Sequence, residues 1–337
     1  MTSNNAGIIR IFAGQTGKSF ALKMCDYLGT PLGDSETIRF SDGNIFVRIN
    51  ETIRNKDVYI VQPIGEDPNN EFVELLFWID AFKRASANSV TAIMPYFSYA
   101  KGDKKDESRV SIRARVCAES IELAGVDRVV TMELHSPQVQ GFFKKPLDHL
   151  YSSPLLGEYV KRAGWVDDDL VVVSPDAGYA KQARVFADIL GTPVVIGEKM
   201  RAGHDEKAKV LNIIGEVKGK NCLIVDDFSI SGGTLVDIAR SLKERGANHI
   251  YCALSHAILK EKGVTAIENS PIEHMVVTDT VNCPAIAKST KIKVISAAPL
   301  FAETVRVIHA REPLGLMFEH LPESVIRASF AEQLSFL

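Results

Sequence analysis

Two stretches of this 337-residue chain share one plan, and that repetition constrains the fold more than any other feature. Asp57-Val-Tyr-Ile-Val-Gln-Pro-Ile64 leads into a helical pattern ending Phe82-Lys-Arg-Ala-Ser-Ala-Asn88, then a second apolar strand, Ser89–Phe97. Asn221-Cys-Leu-Ile-Val-Asp-Asp-Phe228 leads into a helical pattern ending Leu242-Lys-Glu-Arg-Gly-Ala-Asn248, then the strand His249–His256. Strand, helix, Ala-Asn and second strand recur in one order, the mark of a duplicated unit. Runs at Asp127–His135, Leu170–Pro175 and Thr192–Glu198 also read as buried strands, with helical periodicity over Asn70–Ser86, Ser111–Gly125 and Ala180–Leu190. Such alternation predicts an α/β fold: two similar domains, each a mainly parallel sheet flanked by helices.

Length suits two domains of similar size, and an apolar content of 46% fills two cores. A net charge of −3 carries no polyelectrolyte signature, so nucleic acid is not an expected partner. The five cysteines are scattered and odd in number, with no CxxC pair, as in proteins of a reducing compartment. The start Met-Thr-Ser-Asn-Asn-Ala-Gly is polar and no apolar run approaches membrane-spanning length. The expectation is a cytoplasmic protein that does not engage a membrane.

The repeats differ in chemistry. The second carries Asp226-Asp227 at the end of its strand, then Ser229-Ile-Ser-Gly-Gly-Thr234 running into the helix that begins at Leu235. A helix start gathers unpaired backbone N–H groups and the positive end of the dipole, which together attract phosphate. The two carboxylates suit sugar hydroxyls or Mg²⁺-bound water. The first repeat has Gln62-Pro63 at the same place and no Ser-Gly-Gly-Thr loop, so only the second can hold a phosphosugar.

Other residues fall where α/β proteins place ligands, past the carboxyl ends of strands. Met132-Glu-Leu-His135 closes a strand, and period-two spacing would set Glu133 and His135 on one side to meet a metal ion or a polyphosphate. Tyr99–Arg109 is a dense charged loop in which Lys101, Lys104 and Arg109 suit a triphosphate. Ser174-Pro-Asp-Ala-Gly178 presents Asp176 from another strand-to-helix turn. Lys199 and Arg201 alternate at the root of a polar loop and suit charge developing on a transferring phosphoryl group. Gly14-Gln-Thr-Gly-Lys-Ser19 imitates a P-loop, but the first glycine that motif requires would fall at Phe12, so it reads as a fold element.

Taken in order, these segments resemble the ribose-phosphate pyrophosphokinase family. The motifs that carry the resemblance are Phe40-Ser-Asp-Gly43, Asp80-Ala-Phe-Lys-Arg-Ala-Ser86, Pro95-Tyr-Phe-Ser-Tyr-Ala-Lys101, Asp103-Lys-Lys-Asp106, Thr131-Met-Glu-Leu-His135 and Gln140-Gly-Phe-Phe143. Ser174-Pro-Asp-Ala-Gly178, Val225-Asp-Asp227 and Gly232-Gly-Thr234 complete the series, from Arg10 to about Thr280.

The resemblance implies two phosphoribosyltransferase-type domains. Residues 1–155, completed by the tail 308–337, would bind ATP and mediate oligomerisation, and residues 156–307 would bind ribose phosphate. The implied reaction moves the diphosphoryl group of ATP to the 1-hydroxyl of ribose 5-phosphate, with Mg²⁺ as cofactor. Asp226, Asp227, Ser229, Ser231, Gly232, Gly233 and Thr234 would bind ribose 5-phosphate; Phe40, Asp42, Asn44, Lys101, Asp106 and Arg109 would bind ATP. Lys199, Arg201 and His135 would be catalytic, with His135 and Asp176 on the metal. An adenine pocket shared between subunits implies a homo-oligomer. This chain departs from the family's commonest pattern at Ile230 and Asn44, where an acid is usual, and at Lys101-Gly102, Ser231, Glu133 and Tyr179. A non-catalytic synthetase-like subunit and a phosphoribosyltransferase are the alternative readings.

Overall fold

The structure, a computed structural model, describes residues 8–201, 209–315, 317 and 320–331. The repeats fold as two units, one drawn from Met1–Tyr151 and Ala297–Ser329, the other from Ser152–Ser296 and Phe330–Leu337. The chain thus leaves the first unit ahead of the expected junction at 155/156, and returns at Ala297 rather than at 308.

The first unit runs β1 (Ile9–Ala13), α1 (Lys18–Leu28), β2 (Ser35–Arg39), β3 (Ile45–Ile49), β4 (Asp57–Val61), α2 (Pro68–Arg84), β5 (Ser89–Met94), α3 (Arg113–Ala124), β6 (Arg128–Met132) and β7 (Leu147–Leu150). The second runs α4 (Ser153–Arg162), β8 (Leu170–Ser174), α5 (Ala180–Leu190), β9 (Val194–Arg201), β10 (Lys209–Ile214), β11 (Asn221–Ser229), α6 (Gly233–Glu244), β12 (Ile250–Ala257), α7 (Glu261–Glu268), β13 (His274–Thr278) and β14 (Ile292–Ile295). Back in the first unit come α8 (Ala298–Ala310) and α9 (Glu323–Ser329). Helix α8 is buried along most of its length, and its Phe301 meets Phe20 of α1 edge-on at 5.3 Å. That apolar surface is why the return comes early.

The first sheet has the order β1-β4-β5-β6-β7, all parallel. The second has the order β10-β9-β8-β11-β12-β13-β14, parallel except for β10 against β9. Strands β8-β11-β12-β13-β14 repeat the arrangement of the first sheet, with an antiparallel pair inserted at the same place in each repeat. That pair is a separate hairpin in the first unit and an extension of the main sheet in the second. The recurrent Ala-Asn also does one job twice. The N–H of Asn88 donates to Lys56 O and that of Asn248 to Lys220 O, each at 2.8 Å, holding the helix end against the root of the preceding strand.

Each unit encloses its own apolar core. In the first, Trp78 stacks on Phe82 at 5.3 Å and Phe82 packs on Phe12 at 4.9 Å. Buried Glu74 ties the layers together. Its Oε1 accepts from Trp78 Nε1 at 3.3 Å, Thr37 Oγ1 at 2.7 Å and Gln15 N at 3.1 Å. Gly17 lies so close to β4 that a Cβ there would stand 2.0 Å from Val61 O. The Gly14–Ser19 segment is therefore a tight entry into α1, as expected from its failed P-loop spacing.

The two tryptophans fall one in each unit, so replacing Trp165 with Phe leaves Trp78 as sole reporter of the first. In that background Phe82→Ala removes a ring packed on two others and should lower stability by about 3–5 kcal/mol. An earlier urea midpoint in Trp78 emission is the expected result, and an unmoved midpoint contradicts this account of the core.

Candidate active site

Strand β11 lies between β8 and β12, and its buried apolar residues end in two carboxylates. Asp227 is buried and Asp226 half-buried. Each aspartate accepts the next backbone N–H: Asp227 N donates to Asp226 Oδ1 at 3.0 Å, and Phe228 N to Asp227 Oδ1 at 2.8 Å. Burial pushes the Asp226 carboxyl up to about 8, reinforced by the negative charges of Asp227 and Asp176. Asp176 sits in the loop after β8, the parallel neighbour of β11, so both loops open at one sheet edge. Its Oδ1 accepts from Tyr179 N at 3.0 Å, while Ser174 Oγ donates to Asp176 O at 2.7 Å, fixing the loop.

Beyond the carboxylates the chain wraps the start of α6. Ser229 Oγ accepts from Gly232 N at 3.1 Å and Ser231 Oγ from Gly233 N at 3.3 Å. Gly232 has a left-handed backbone, φ 72°, and a Cβ there would lie a tight 3.2 Å from Gly263 O, so both conformation and space favour glycine. With Gly233 next, a Cβ-free surface leads to the first-turn amides, which have no intrahelical acceptors in any helix. Thr234 follows within that turn. Ile230 is exposed at the loop's tip.

Lys199 and Arg201 close β9, beside β8 on that same sheet. Their side chains, and the loop 202–208, lie outside the described residues.

The first unit carries the remaining expected residues on its own loops. Phe40–Asn44 is the tip of the β2–β3 hairpin, closed by Phe40 N to Asn44 O at 2.9 Å and Gly43 N to Phe40 O at 3.0 Å. Asp42 accepts from Asn44 N at 3.0 Å and Asn44 Nδ2 at 2.7 Å, and these two bonds hold its carboxyl below the ordinary range. Asn44 thus fixes Asp42 with a hydrogen bond from its side-chain Nδ2 that an ionised acid there could not donate. Phe40 is exposed, 6.3 Å from Phe46. Lys101 Nζ lies over the Tyr96 ring at 5.7 Å, and Lys104 Nζ is 3.9 Å from Asp106 Oδ1. Arg109 has a left-handed backbone, φ 64°.

One expectation needs correction. Strand β6 stops at Met132, and Glu133 turns left-handed with φ 42°, so the period-two argument linking Glu133 to His135 fails. Glu133 is buried and His135 exposed. The apolar run continues past the last strand residue because buried Leu134 belongs to the turn.

The first repeat's loop after β4 is already filled. The carboxylate of Glu71, on α2, accepts from Gly65 N at 2.6 Å, and burial raises its carboxyl despite amides of Gly65, Asp67 and Glu66 and the Thr16 hydroxyl favouring ionisation. Gln62, fully buried, donates from Nε2 to Thr16 Oγ1 at 3.3 Å.

Residues 9–125 match the model of the N-terminal domain of ribose phosphate pyrophosphokinase, and 204–319 match that of the phosphoribosyl synthetase-associated domain. The chain is 42% identical over 312 residues to a ribose-phosphate pyrophosphokinase of Clostridium tetani, covering 92% of this chain and 97% of that one. It is 44% identical over 312 residues to that of Caldanaerobacter subterraneus, covering 92% and 98%. The chain belongs to the ribose-phosphate pyrophosphokinase family. The phosphoribosylpyrophosphate synthetase of Mycobacterium smegmatis superposes with a TM-score of 0.85 at 33% identity, over 90% of this chain and 99% of that one. Ribose-phosphate pyrophosphokinase membership fits the α/β fold and its duplicated parallel sheets.

Sequence reasoning missed a buried polar network beside β11. His256 Nδ1 lies 2.7 Å from Thr280 Oγ1, Thr278 Oγ1 donates to Ser255 O, and Ser152 and Ser255 hydroxyls meet at 2.5 Å. Its one sequence signal is polar residues within apolar strands, Ser255-His256 and Thr278-Asp-Thr280.

The raised Asp226 carboxyl predicts a pH signature. An unfolded aspartate ionises near pH 4 and this one near 8, so the folded unit keeps a proton that the unfolded chain releases between them. That contribution is complete below about pH 4 and fades as pH rises through about 8. Urea unfolding of the ligand-free second unit, followed by Trp165 emission at several pH values, should therefore show wild type losing stability relative to Asp226→Asn on going from pH 5 to 8. Parallel curves would contradict the crowding.

Proposed function

We propose that this protein transfers the β,γ-diphosphoryl group of ATP to the 1-hydroxyl of ribose 5-phosphate, giving phosphoribosyl pyrophosphate and AMP. The observation that carries the reading is the union of near-full-length family membership with a carboxylate pair abutting an open helix start, in the second repeat alone. In this reading Ser229, Ser231, Gly232, Gly233 and Thr234 seat the 5-phosphate and Asp226 and Asp227 the ribose hydroxyls. Phe40, Asp42 and Asn44 face adenine, and Lys101, Asp106 and Arg109 accompany the nucleotide phosphates. Lys199 and Arg201 meet charge as it develops on the transferring group, and His135 contacts the nucleotide.

Mg²⁺ suits these residues. The clustered carboxyls of Asp226, Asp227 and Asp176 are hard oxygen donors whose mutual repulsion a cation would relieve. Among the described residues no group of three or more His, Cys, Asp or Glu forms a protein cage. Mg²⁺ commonly takes one or two carboxylates and completes its shell with water and substrate phosphates, and Asp176 would be a protein contact here. Bound, it would offset charge on the nucleotide phosphates. The protein's own work is to seat the sugar so that its 1-hydroxyl lines up with the β-phosphorus opposite the departing AMP, and to hold water away.

The assay is AMP release from ATP and Mg²⁺ with and without ribose 5-phosphate. AMP matched by phosphoribosyl pyrophosphate, and none without the sugar, is expected. Sugar-independent AMP or no product would sink the reading. Lys199→Ala should lower kcat by about 100-fold or more while sparing sugar binding; unchanged turnover removes Lys199 from the chemistry.

We further read the exposed Phe40 hairpin as one wall of an adenine pocket completed by a second copy, making the enzyme a homo-oligomer. Mixing inactive Phe40→Ala and Lys199→Ala proteins after dissociation and reassembly should then restore activity through hybrid sites. Mixtures as inactive as their parents would show that each copy builds its pocket alone.

A further inference from the structure

The turn that presents His135 is held from beneath by a residue no sequence motif singled out. Past β6 the chain turns left-handed at Glu133, a conformation that non-glycine residues adopt only when their surroundings impose it. Two hydrogen bonds impose it here, both from β7, the parallel neighbour of β6. Glu133 N donates to Leu150 O at 2.9 Å, continuing the sheet by one amide. Leu134 N then donates to the Nε2 of His149 at 2.8 Å, inside the fold, where His149 is 6% exposed. The ring is itself fixed. Tyr151 packs against it at a centroid distance of 4.5 Å, and its Nδ1, which carries the proton when Nε2 accepts, stands 3.3 Å from the Gln140 side chain.

We propose that His149 is a positioning residue: by accepting the Leu134 N–H it fixes the left-handed turn that aims His135 at the magnesium nucleotide. The proposal rests on the reading of His135 as a nucleotide contact and adds the side chain that sets its direction. A buried backbone N–H needs an acceptor, and no strand carbonyl follows in register once the chain has turned at Glu133. A side-chain nitrogen supplies it. Since Nε2 accepts, the ring acts as a neutral imidazole, and a residue lacking an acceptor at that depth would release the turn without touching the ligand.

The test compares His149→Gln, whose Oε1 can stand where Nε2 does, with His149→Met, which has similar reach and no comparable acceptor. His149→Met should lose about tenfold or more in kcat/KM for MgATP, with calorimetric binding of ribose 5-phosphate and the unfolding midpoint of Trp78 emission near wild type. His149→Gln should recover most of that loss. Combining His149→Met with His135→Ala should be no worse than His135→Ala alone, because both act through one side chain. If His149→Met does not fold, His149→Ala serves as the acceptor-free variant. The positioning role is overturned if the acceptor-free variant handles MgATP normally, if glutamine and methionine are equally damaging, or if losses add in the double variant. A neutral His135→Ala overturns the reading of His135 and the proposal together, whereas a damaging His135→Ala beside a neutral His149→Met overturns the proposal alone.

Discussion

Asp226 and Asp227 stand at the end of a strand whose preceding residues are all buried, and the second unit is organised around that placement. A carboxylate removed from water loses solvation, and a second one beside it adds repulsion. The unliganded fold meets this cost partly with backbone amides, through Asp227 N and Phe228 N, and partly by raising the Asp226 carboxyl so that it holds its proton longer. The parallel sheet makes the arrangement durable. With β8 and β12 paired along its two edges, β11 is held in register from both sides. Asp176 arrives from the neighbouring loop and the start of α6 lies a few residues on, so negative side chains and anion-seeking amides share one edge. A phosphorylated sugar with a divalent cation answers both demands.

The first repeat shows the same scaffold with that demand removed. At the register position of Asp226 it has Gln62, and the loop that follows is closed by Glu71, whose carboxylate takes the Gly65 amide. A built-in carboxyl group sits where the second repeat leaves a loop of glycines and hydroxyls. Helix α2, β2 and the β1 loop are then locked by the three bonds into Glu74. In the reading proposed here, duplication freed this copy from sugar binding and left the loops after β5 and β6 for nucleotide.

Much of this was legible from residues alone. Helix α5 runs over Ala180–Leu190 as its periodicity predicts, and α2 and α3 fall within two residues of expectation at each end. Strand ends were less legible, for one physical reason. The runs expected to reach Ile64, Phe97 and His135 stop at Val61, Met94 and Met132, because Ile64, Phe97 and Leu134 are buried as loop residues under the helices. Apolar patterning reports burial, and a buried turn after a parallel strand looks like more strand. The return of α8 to the first unit, the plug at Glu71 and the support of Leu134 by His149 depend on partners distant in sequence. In the candidate site the Asp-Asp and Ser-Gly-Gly-Thr signals needed only local chemistry, which is why they were readable; the His256–Thr280 network was not.

The central claim is that the second repeat, and not the first, holds the sugar phosphate. Titration calorimetry of ribose 5-phosphate against Asp226→Ala and Gln62→Ala tests it at register-equivalent positions of the two sheets. The account predicts affinity lowered by about tenfold or more for Asp226→Ala, the cost of a lost hydrogen bond to the sugar, and wild-type affinity for Gln62→Ala. Affinity lost in Gln62→Ala and kept in Asp226→Ala would contradict it.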